Sequence, residues 1–276
     1  DIPHDLVEAH GIEIVPIMLT HEGRSFREYY DITSEDYCRL LESSSEIPGT
    51  AMTTPTVFLE SYNRAFERGC THLLAVLING GGSGTYQAAC LAKSMFEEEQ
   101  GEGKMTIEVI DSNCYTVGYG YPLMQACKKA QQGAEFEEVV AYIRDYLDRV
   151  RIYFSPFTLQ YVKKSGRVSC TAAFVGELIG LRPVISAVGT TSVVEKVRGN
   201  AAILSSMEKM FAAQRSKKQE NAPYMILVAR DTPASQELAA ACEKIAGYPP
   251  VGIYKIGAAI TINTGPQIIG LTFLAD

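Results

Sequence analysis

Apolar residues in the first half of the chain alternate between the spacing of strands and the spacing of helices. Residues 73–78 form a short continuous apolar run, which is typical of a parallel strand buried on both faces. Residues 56–68 have the spacing of an amphipathic helix, and Gly69 follows as a helix-ending residue. Strands are also predicted at 11–19 and 106–110, and helices from residue 33 and at 85–98, 120–129 and 135–150. The alternation of strand and helix predicts a parallel, doubly wound sheet.

In the second half of the chain, the predicted strands and helices do not alternate regularly. Strands are predicted at 151–154, 182–188, 224–229, 252–256 and 268–274, and helices at 172–181, 200–214 and 233–247. Such an order favours a mixed sheet with helices.

The balance of acidic and basic residues changes at the same point in the chain as the order of the predicted elements. Residues 1–148 contain 10 lysines and arginines against 24 aspartates and glutamates, whereas residues 149–276 contain 15 against 8. A shift of this size is typical of a domain boundary. The sequence therefore predicts an N-terminal domain at 1–148 and a C-terminal domain at 149–276.

Overall composition excludes several classes of function. A formal net charge of −7 argues against a general electrostatic grip on nucleic acid or on an anionic membrane. No apolar run reaches the length of a membrane span, and no signal peptide pattern opens the sequence. The seven cysteines include no C-x-x-C pair, so we expect buried thiols in a reducing cytoplasm.

The strongest local signal is the glycine-rich loop, residues 80–85, between the predicted strand at 73–78 and the next helix. Ligands of open α/β sheets bind beyond the carboxyl ends of the strands, and a helix N-terminus attracts anions. Gly82, Ser83 and Gly84 are therefore predicted to hold an anionic group. The alternative is a tight turn that needs glycine only for its backbone geometry.

Other chemistries fit this loop less well. It lacks the Gly-Lys-Ser/Thr of a Walker A loop and the third glycine of a dinucleotide fingerprint. Thr85 stands where a hydrolase elbow needs glycine, and all four histidines precede Ser83. No histidine or carboxylate cluster has the spacing of metal ligands, so no metal or other cofactor is predicted. An autonomous small-molecule enzyme with Ser83 at its active site remains the alternative function.

Two further loops carry polar groups that suit an anion. Residues 52–56 place Thr53 and Thr54 ahead of a helix, either as helix caps or as hydroxyl donors to the same anion. Residues 163–169 form a basic, glycine-containing loop. Its Arg167 is either solvated charge or a planar partner for phosphate or carboxylate. Asp111 and Ser112 end a strand, and they either face the same cleft or cap the next segment.

Taken in order, these segments resemble the DegV family over essentially the whole chain. The motifs that carry the resemblance are G-I-E-I-V-P at 11–16, S-G-T-Y-Q-A-A at 83–89, I-D-S at 110–112, S-G-R-V-S at 165–169, K-V-R-G at 196–199, N-T-G-P at 263–266 and G-L at 270–271. The resemblance implies two α/β domains, the first with a parallel Rossmann-like sheet and the second with a mixed sheet and helices. It also implies that a long-chain fatty acid lies between the domains. A separate ATP-dependent fatty-acid kinase subunit would phosphorylate its carboxylate for phospholipid synthesis.

The resemblance also implies roles for individual residues. Ser83 matches a ligand of the fatty-acid carboxylate, and Arg167 matches an arginine that serves the kinase encounter and phosphoryl transfer. The carboxylate-binding threonine of the family falls on Met52, so Thr53 or Thr54 is expected to substitute for it. Asn263 stands where the family has histidine, and an amide can still donate a hydrogen bond but carries no charge. The family also usually opens with a strand ending in T-D-S, and the chain starts just after that point.

Overall fold

The computed structural model describes residues 1–44, 46–168 and 180–276. Its helices are α1 (His4–His10), α2 (Ser34–Ser43), α3 (Pro55–Glu67), α4 (Thr85–Gln100), α5 (Val117–Gln131), α6 (Phe136–Arg149), α7 (Gln160–Ser165), α8 (Asn200–Gln214), α9 (Pro233–Ala246) and α10 (Ala258–Thr264). Its strands are β1 (Met18–His21), β2 (Arg24–Arg27), β3 (Gly49–Ala51), β4 (His72–Leu77), β5 (Thr106–Asp111), β6 (Val150–Pro156), β7 (Leu181–Ser186), β8 (Ser192–Arg198), β9 (Tyr224–Val228), β10 (Gly252–Lys255) and β11 (Ile268–Leu274). Most of the helix predicted at 172–181 lies outside the described residues.

The parallel sheet of the first half consists of β4 and β5. Alternate side chains of β4 leave it in opposite directions, as the pleat of a strand requires. Leu73 and Ala75 pack with α3 and α4, whereas Leu74 and Val76 pack with the cluster that contains α5 and α6. Because α4 follows β4 and α5 follows β5, both helices start at the same edge of this sheet. That edge carries the glycine-rich loop.

The strand predicted at 11–19 is wrong in its extent. Residues 12–17 make no strand, and β1 begins at Met18 as the centre of an antiparallel sheet ordered β2-β1-β3. Pro16 explains part of this, because proline has no N–H to donate to a neighbouring strand. The three-stranded sheet packs onto α10 through Leu19, which contacts the cluster formed with Ala258 and Ile262.

A mixed six-stranded sheet forms the second half, in the order β10-β9-β11-β6-β7-β8. Only β10 and β9 run parallel among its pairs, so the predicted mixed sheet is confirmed. Both faces of its strands β6, β9 and β11 are buried. Tyr153 and Ile226 face α8 and α9, whereas Phe154 and Leu227, one position further along each strand, face the first half of the chain. This second face forms part of the wall of a cavity.

Helix α2 shows how local sequence sets a boundary. Thr33 precedes it in an extended conformation, and the Thr33 hydroxyl accepts a hydrogen bond of 3.1 Å from the backbone N–H of Asp36. Threonine is a favoured residue at this position because its hydroxyl satisfies an N–H group that has no partner within the helix. No helix within the described ranges has both the length and the apolar character that crossing a membrane requires.

Candidate functional site

A cavity of about 340 Å³ lies where the glycine-rich loop, the loop between β5 and α5, helix α10 and the inner face of the six-stranded sheet meet. Sites for small molecules usually measure about 300–1,000 Å³. Both halves of the chain contribute to its wall. The described residues that line it are Ile17, Thr50, Ala51, Met52, Ile78, Gly82, Ser83, Gly84, Tyr115, Thr116, Ile152, Phe154, Ser165, Arg167, Val168, Ala187, Thr191, Leu227, Ile256, Ala259, Ile260, Asn263, Thr264 and Ile268.

The wall is mainly apolar and carries little charge. Strands β6, β9 and β11 supply Ile152, Phe154, Leu227 and Ile268. Arg167 is the one charged residue among the described lining residues, which include no histidine, lysine, aspartate or glutamate. Such a wall suits a ligand with a long apolar body and a single anionic end.

The glycine-rich loop uses most of its own N–H groups to hold its shape. The N–H of Gly80 donates to Asp111 Oδ1 at 2.9 Å, and that of Gly81 donates to Asn79 Oδ1 at 2.8 Å. The N–H groups of Gly82 and Ser83 both donate to the Asn79 carbonyl oxygen. The sequence argument that this loop offers its amides to a ligand therefore holds only beyond Ser83, at the start of α4.

Gly82 and Gly84 give room to two neighbouring side chains. A Cβ atom on Gly82 would lie less than 3.0 Å from the Tyr115 hydroxyl, and one on Gly84 would also lie less than 3.0 Å from Met52 Sδ. Neither glycine has a positive φ angle. Close approach, rather than backbone conformation, is thus the structural reason for glycine at both positions.

The Ser83 hydroxyl lines the cavity and pairs with a second hydroxyl. Ser83 Oγ lies 2.8 Å from Thr85 Oγ1, and Thr85 is buried behind it. When Thr85 donates in this pair, the Ser83 hydrogen is free to donate to a ligand. A nucleophilic serine would need a base at this position, and the described lining residues supply none.

Thr53 and Thr54 do not line the cavity, which differs from the sequence expectation. The buried Thr53 hydroxyl donates a 2.6 Å hydrogen bond to the Pro16 carbonyl oxygen, and so fixes the residues before β1. Thr54 Oγ1 lies 2.8 Å from Thr56 Oγ1 on the exposed start of α3. Met52, from the same segment, does reach the cavity wall. The hydroxyls therefore stabilise the loop, and the thioether faces the cavity.

Asn263 and Arg167 both lie in the wall of this cavity. Asn263 is on α10, where its Nδ2 donates a 2.7 Å hydrogen bond to the Ala259 carbonyl oxygen one turn earlier. One N–H and the side-chain oxygen of this amide remain for other partners. Arg167 is exposed beside α7, and its Nη1 donates to the Ser165 carbonyl oxygen at 2.7 Å.

Asp111 and Ser112 support the neighbouring loops, and neither lines the cavity. Asp111 Oδ1 accepts hydrogen bonds from the N–H groups of Gly80 and Asn113, both at 2.9 Å. Ser112 Oγ donates to the Cys114 carbonyl oxygen and accepts from the Cys114 N–H. Burial raises the pKa of Cys114 to about 12, so this thiol stays protonated and supplies no thiolate nucleophile.

Tyr115 and Thr116 are among the residues of this wall that sequence reasoning did not identify. The Tyr115 hydroxyl lies 3.3 Å from Asn79 Nδ2 and 3.3 Å from Thr191 Oγ1, and thus joins loops from both halves. Thr116 precedes α5 with φ 56° and ψ −141°, an unusual conformation for a β-branched residue. Their position after the carboxyl end of β5, beside the end of β4, was the available signal.

Comparison with known proteins gives relatives over the full length. The model of a family described as "uncharacterised protein, DegV family" matches residues 1–276. A DegV domain-containing protein of Caldanaerobacter subterraneus is 31% identical over 203 residues, which cover 72% of this chain and 69% of that protein.

Two solved structures are similar over nearly all of both chains. A DegV family protein from Thermus thermophilus, described as binding fatty acid, has a TM-score of 0.86 at 26% identity and covers 100% of this chain and 96% of its own. A stearic acid-binding protein from Eubacterium ventriosum has a TM-score of 0.86 at 25% identity, with coverage of 100% and 95%. The arrangement of sheets and helices is therefore one that known proteins share.

Proposed function

Because this chain belongs to the DegV family, we propose that it binds one long-chain fatty acid in the cavity between its two predicted domains. The observation that carries the proposal is the wall itself, which is apolar with a few polar groups and a single described charged residue, Arg167. The fatty acids bound by the related proteins of known structure support the same ligand class.

The energetics favour a ligand of this kind. Burying a methylene group contributes about 0.8 kcal/mol, so a 16-carbon tail offers roughly 12 kcal/mol before the costs of association. Those costs consume a large part of the gross value. A few polar contacts then suffice to fix the position of the head group.

For the head group, we infer that the carboxylate lies against the Ser83 hydroxyl and the start of α4. This helix has 16 residues, and its N-terminal dipole favours a negative charge. Gly82 and Gly84 allow the loop to approach Tyr115 and Met52 closely. Asn263 contributes its remaining amide hydrogen from α10 on the other half of the chain. Thr53 and Thr54 have no direct part in this arrangement.

The resemblance further suggests that the bound carboxylate is presented to a separate ATP-dependent kinase subunit, in the cytoplasm and for phospholipid synthesis. Within this chain, the exposed Arg167 beside the cavity is suited to bind a transferred phosphoryl group, because its planar guanidinium can donate two parallel hydrogen bonds to phosphate oxygens. The protein would then be a carrier rather than an enzyme. The absence of a base among the described lining residues weighs against the alternative with Ser83 as a nucleophile.

Mass spectrometry of lipid extracted from the denatured, purified protein tests the proposal directly. We expect one fatty acid per chain, and we expect delipidated protein to bind palmitate and oleate in a calorimetric titration. A protein that purifies without lipid and binds neither fatty acid would overturn the proposal. Turnover of a small molecule by the isolated chain would instead support the enzyme alternative.

A further inference from the structure

Among the polar groups that line the cavity, the hydroxyl of Thr116 stands apart. Ser165 Oγ donates to the Val162 carbonyl oxygen, and Thr264 Oγ1 donates to the Ile260 carbonyl oxygen. Thr191 Oγ1 pairs with the Tyr115 hydroxyl. Thr116 Oγ1, in contrast, is buried and has no hydrogen-bond partner within the described part of the chain. The residue as a whole is only 6% exposed.

A buried hydroxyl without a partner is unfavourable, and so is the backbone conformation that holds it there. Thr116 has a φ angle of 56°, which β-branched residues seldom adopt. Features of this kind persist where the surrounding structure imposes them, and they cluster at ligand sites. A ligand that accepts a hydrogen bond from Thr116 Oγ1 would satisfy the hydroxyl.

The position of Thr116 indicates which ligand group this is. Thr116 precedes α5, a helix of 15 residues, just as Gly84 precedes α4. These helices follow β5 and β4, which are parallel neighbours, so their N-termini meet at one edge of the sheet. Both dipoles favour negative charge at that edge, and both Ser83 and Thr116 line the cavity there.

We propose that Thr116, together with the N-terminus of α5, forms the second half of the carboxylate site and donates a hydrogen bond to the head group that Ser83 binds. The inference rests on the proposed fatty-acid binding and adds a residue to it. Two helix N-termini and two hydroxyls would then hold the anion. The charge of Arg167 remains available for other partners.

The test compares a hydroxyl deletion in the cavity wall with one outside the cavity. Thr116→Val keeps the β-branched shape and removes the hydroxyl, and we expect it to weaken palmitate binding about tenfold to a hundredfold, the effect of losing one hydrogen bond to a charged group. Thr261→Val is the matched control, because the buried Thr261 hydroxyl bonds the Gly257 carbonyl oxygen at the start of its own helix and Thr261 does not line the cavity. We expect Thr261→Val to stay within about threefold of wild type, and we expect Thr116→Ser, which keeps the hydroxyl, to bind palmitate more tightly than Thr116→Val.

A second measurement separates a contact from a structural effect. The pKa of bound [1-¹³C]palmitate, read from its carboxyl shift by NMR, should rise in Thr116→Val and stay unchanged in Thr261→Val, since removal of a donor disfavours the ionised form. Thr116→Ala gives the same comparison should the valine variant fail to fold. Wild-type affinity and an unchanged palmitate pKa in the hydroxyl-deleted protein would overturn the inference alone. Failure of the wild-type protein to bind palmitate would overturn the proposed function as well.

Discussion

The side-chain amide of Asn79 donates a hydrogen bond of 2.6 Å to the carbonyl oxygen of Gly189, which joins the glycine-rich loop to the turn between β7 and β8. Asn79 is 1% exposed, and its Oδ1 accepts from the N–H of Gly81 at the same time. One buried amide thus fixes the loop that carries Ser83 and connects the two halves of the chain beside the cavity.

Replacing Asn79 with alanine should lower the free energy of unfolding by about 1–3 kcal/mol, because it removes a buried amide together with its hydrogen bonds to Gly189 and Gly81. Urea denaturation followed by circular dichroism measures this. Asn63→Ala is the control, since the Asn63 amide bonds the exposed side chains of Glu99 and Gln100. Equal stability of the two variants would show that the contact with Gly189 is unimportant.

Ser83→Ala should weaken palmitate binding by roughly tenfold to a hundredfold, as expected for one hydrogen bond to a charged group. Thr54→Ala should leave the affinity within about twofold, because Thr54 lies outside the cavity wall. Calorimetric titration of both delipidated variants gives the comparison. A larger loss in Thr54→Ala than in Ser83→Ala would place the head group at the start of α3 instead.

Substitution of Arg167 should impair phosphoryl transfer, whereas substitution of Asn263 should impair fatty-acid binding. Arg167→Ala should change palmitate affinity by no more than about fivefold, since the guanidinium is exposed and its interactions are screened. It should abolish acyl-phosphate formation with the kinase subunit. Asn263→Ala should weaken binding by roughly tenfold or more, because it removes a donor to a charged group.

Arg167→Lys is the informative control for that pair, because it retains the charge and loses the planar fork. We expect it to bind palmitate normally and to support little phosphorylation. If Arg167→Ala lost lipid binding while Asn263→Ala kept it, the roles of the two residues would be reversed.

Gly82→Ala should destabilise the protein more than Gly84→Ala. The added methyl group at residue 82 meets the ring hydroxyl of Tyr115, which is held by Asn79 and Thr191, whereas at residue 84 it meets the flexible end of Met52. Overpacking typically costs about 1–3 kcal/mol, and a methionine adapts more readily than an anchored tyrosine. Midpoints of thermal unfolding that fall in the opposite order would contradict this explanation.

Glu13 should make stability depend on pH below neutrality. Partial burial raises the pKa of Glu13, but hydrogen bonds from Arg64, Ser61 and Arg68 outweigh it and lower the pKa below its ordinary value of 4.5. A lowered folded-state pKa means that the stabilisation is present above pH 4.5 and is lost as pH falls through the folded value. The free energy of unfolding of Glu13→Gln should therefore be lower than that of the wild-type protein by about 0.5–1 kcal/mol at pH 7, and by much less at pH 3.

The control for this prediction is Glu60→Gln, on the exposed side of α3. Urea titrations of both variants at pH 7 and pH 3 provide the data. A Glu13→Gln effect of the same size at both pH values would show that ionisation of Glu13 is not its source.

The sequence predicted the elements whose signal is local. Asn200–Gln214 and Ile268–Leu274 were predicted with the bounds that the structure has, because their apolar spacing continues to both ends. Strand β8 was missed because it is an edge strand with exposed, charged positions, and α10 because it is short and contains isoleucine and threonine, which are weak helix formers. Residues 11–19 were assigned one long strand because Pro16 was read as an interruption within it.

The residues of the candidate site likewise differ in whether a local sequence pattern identifies them. Clustered glycines between a strand and a helix located Gly82, Ser83 and Gly84, since that signal needs only neighbouring residues. The side-chain directions of Thr53 and Thr116 depend on packing against distant segments, and no local pattern specifies them. Whether the two domains meet at residue 148 stays a prediction.

Strand β11 has a consequence for the order in which this protein can be assembled on the ribosome. It is the last strand in the described chain, yet it lies between β6 and β9 and hydrogen-bonds to both. Until residues 268–274 have left the ribosome exit tunnel, the strand that hydrogen-bonds to both β6 and β9 is missing, and the cavity wall lacks Ile268. The nascent chain therefore completes this cavity only after almost all of these residues have been synthesised, and until then one edge of β6 and one edge of β9 lack the strand that pairs with them.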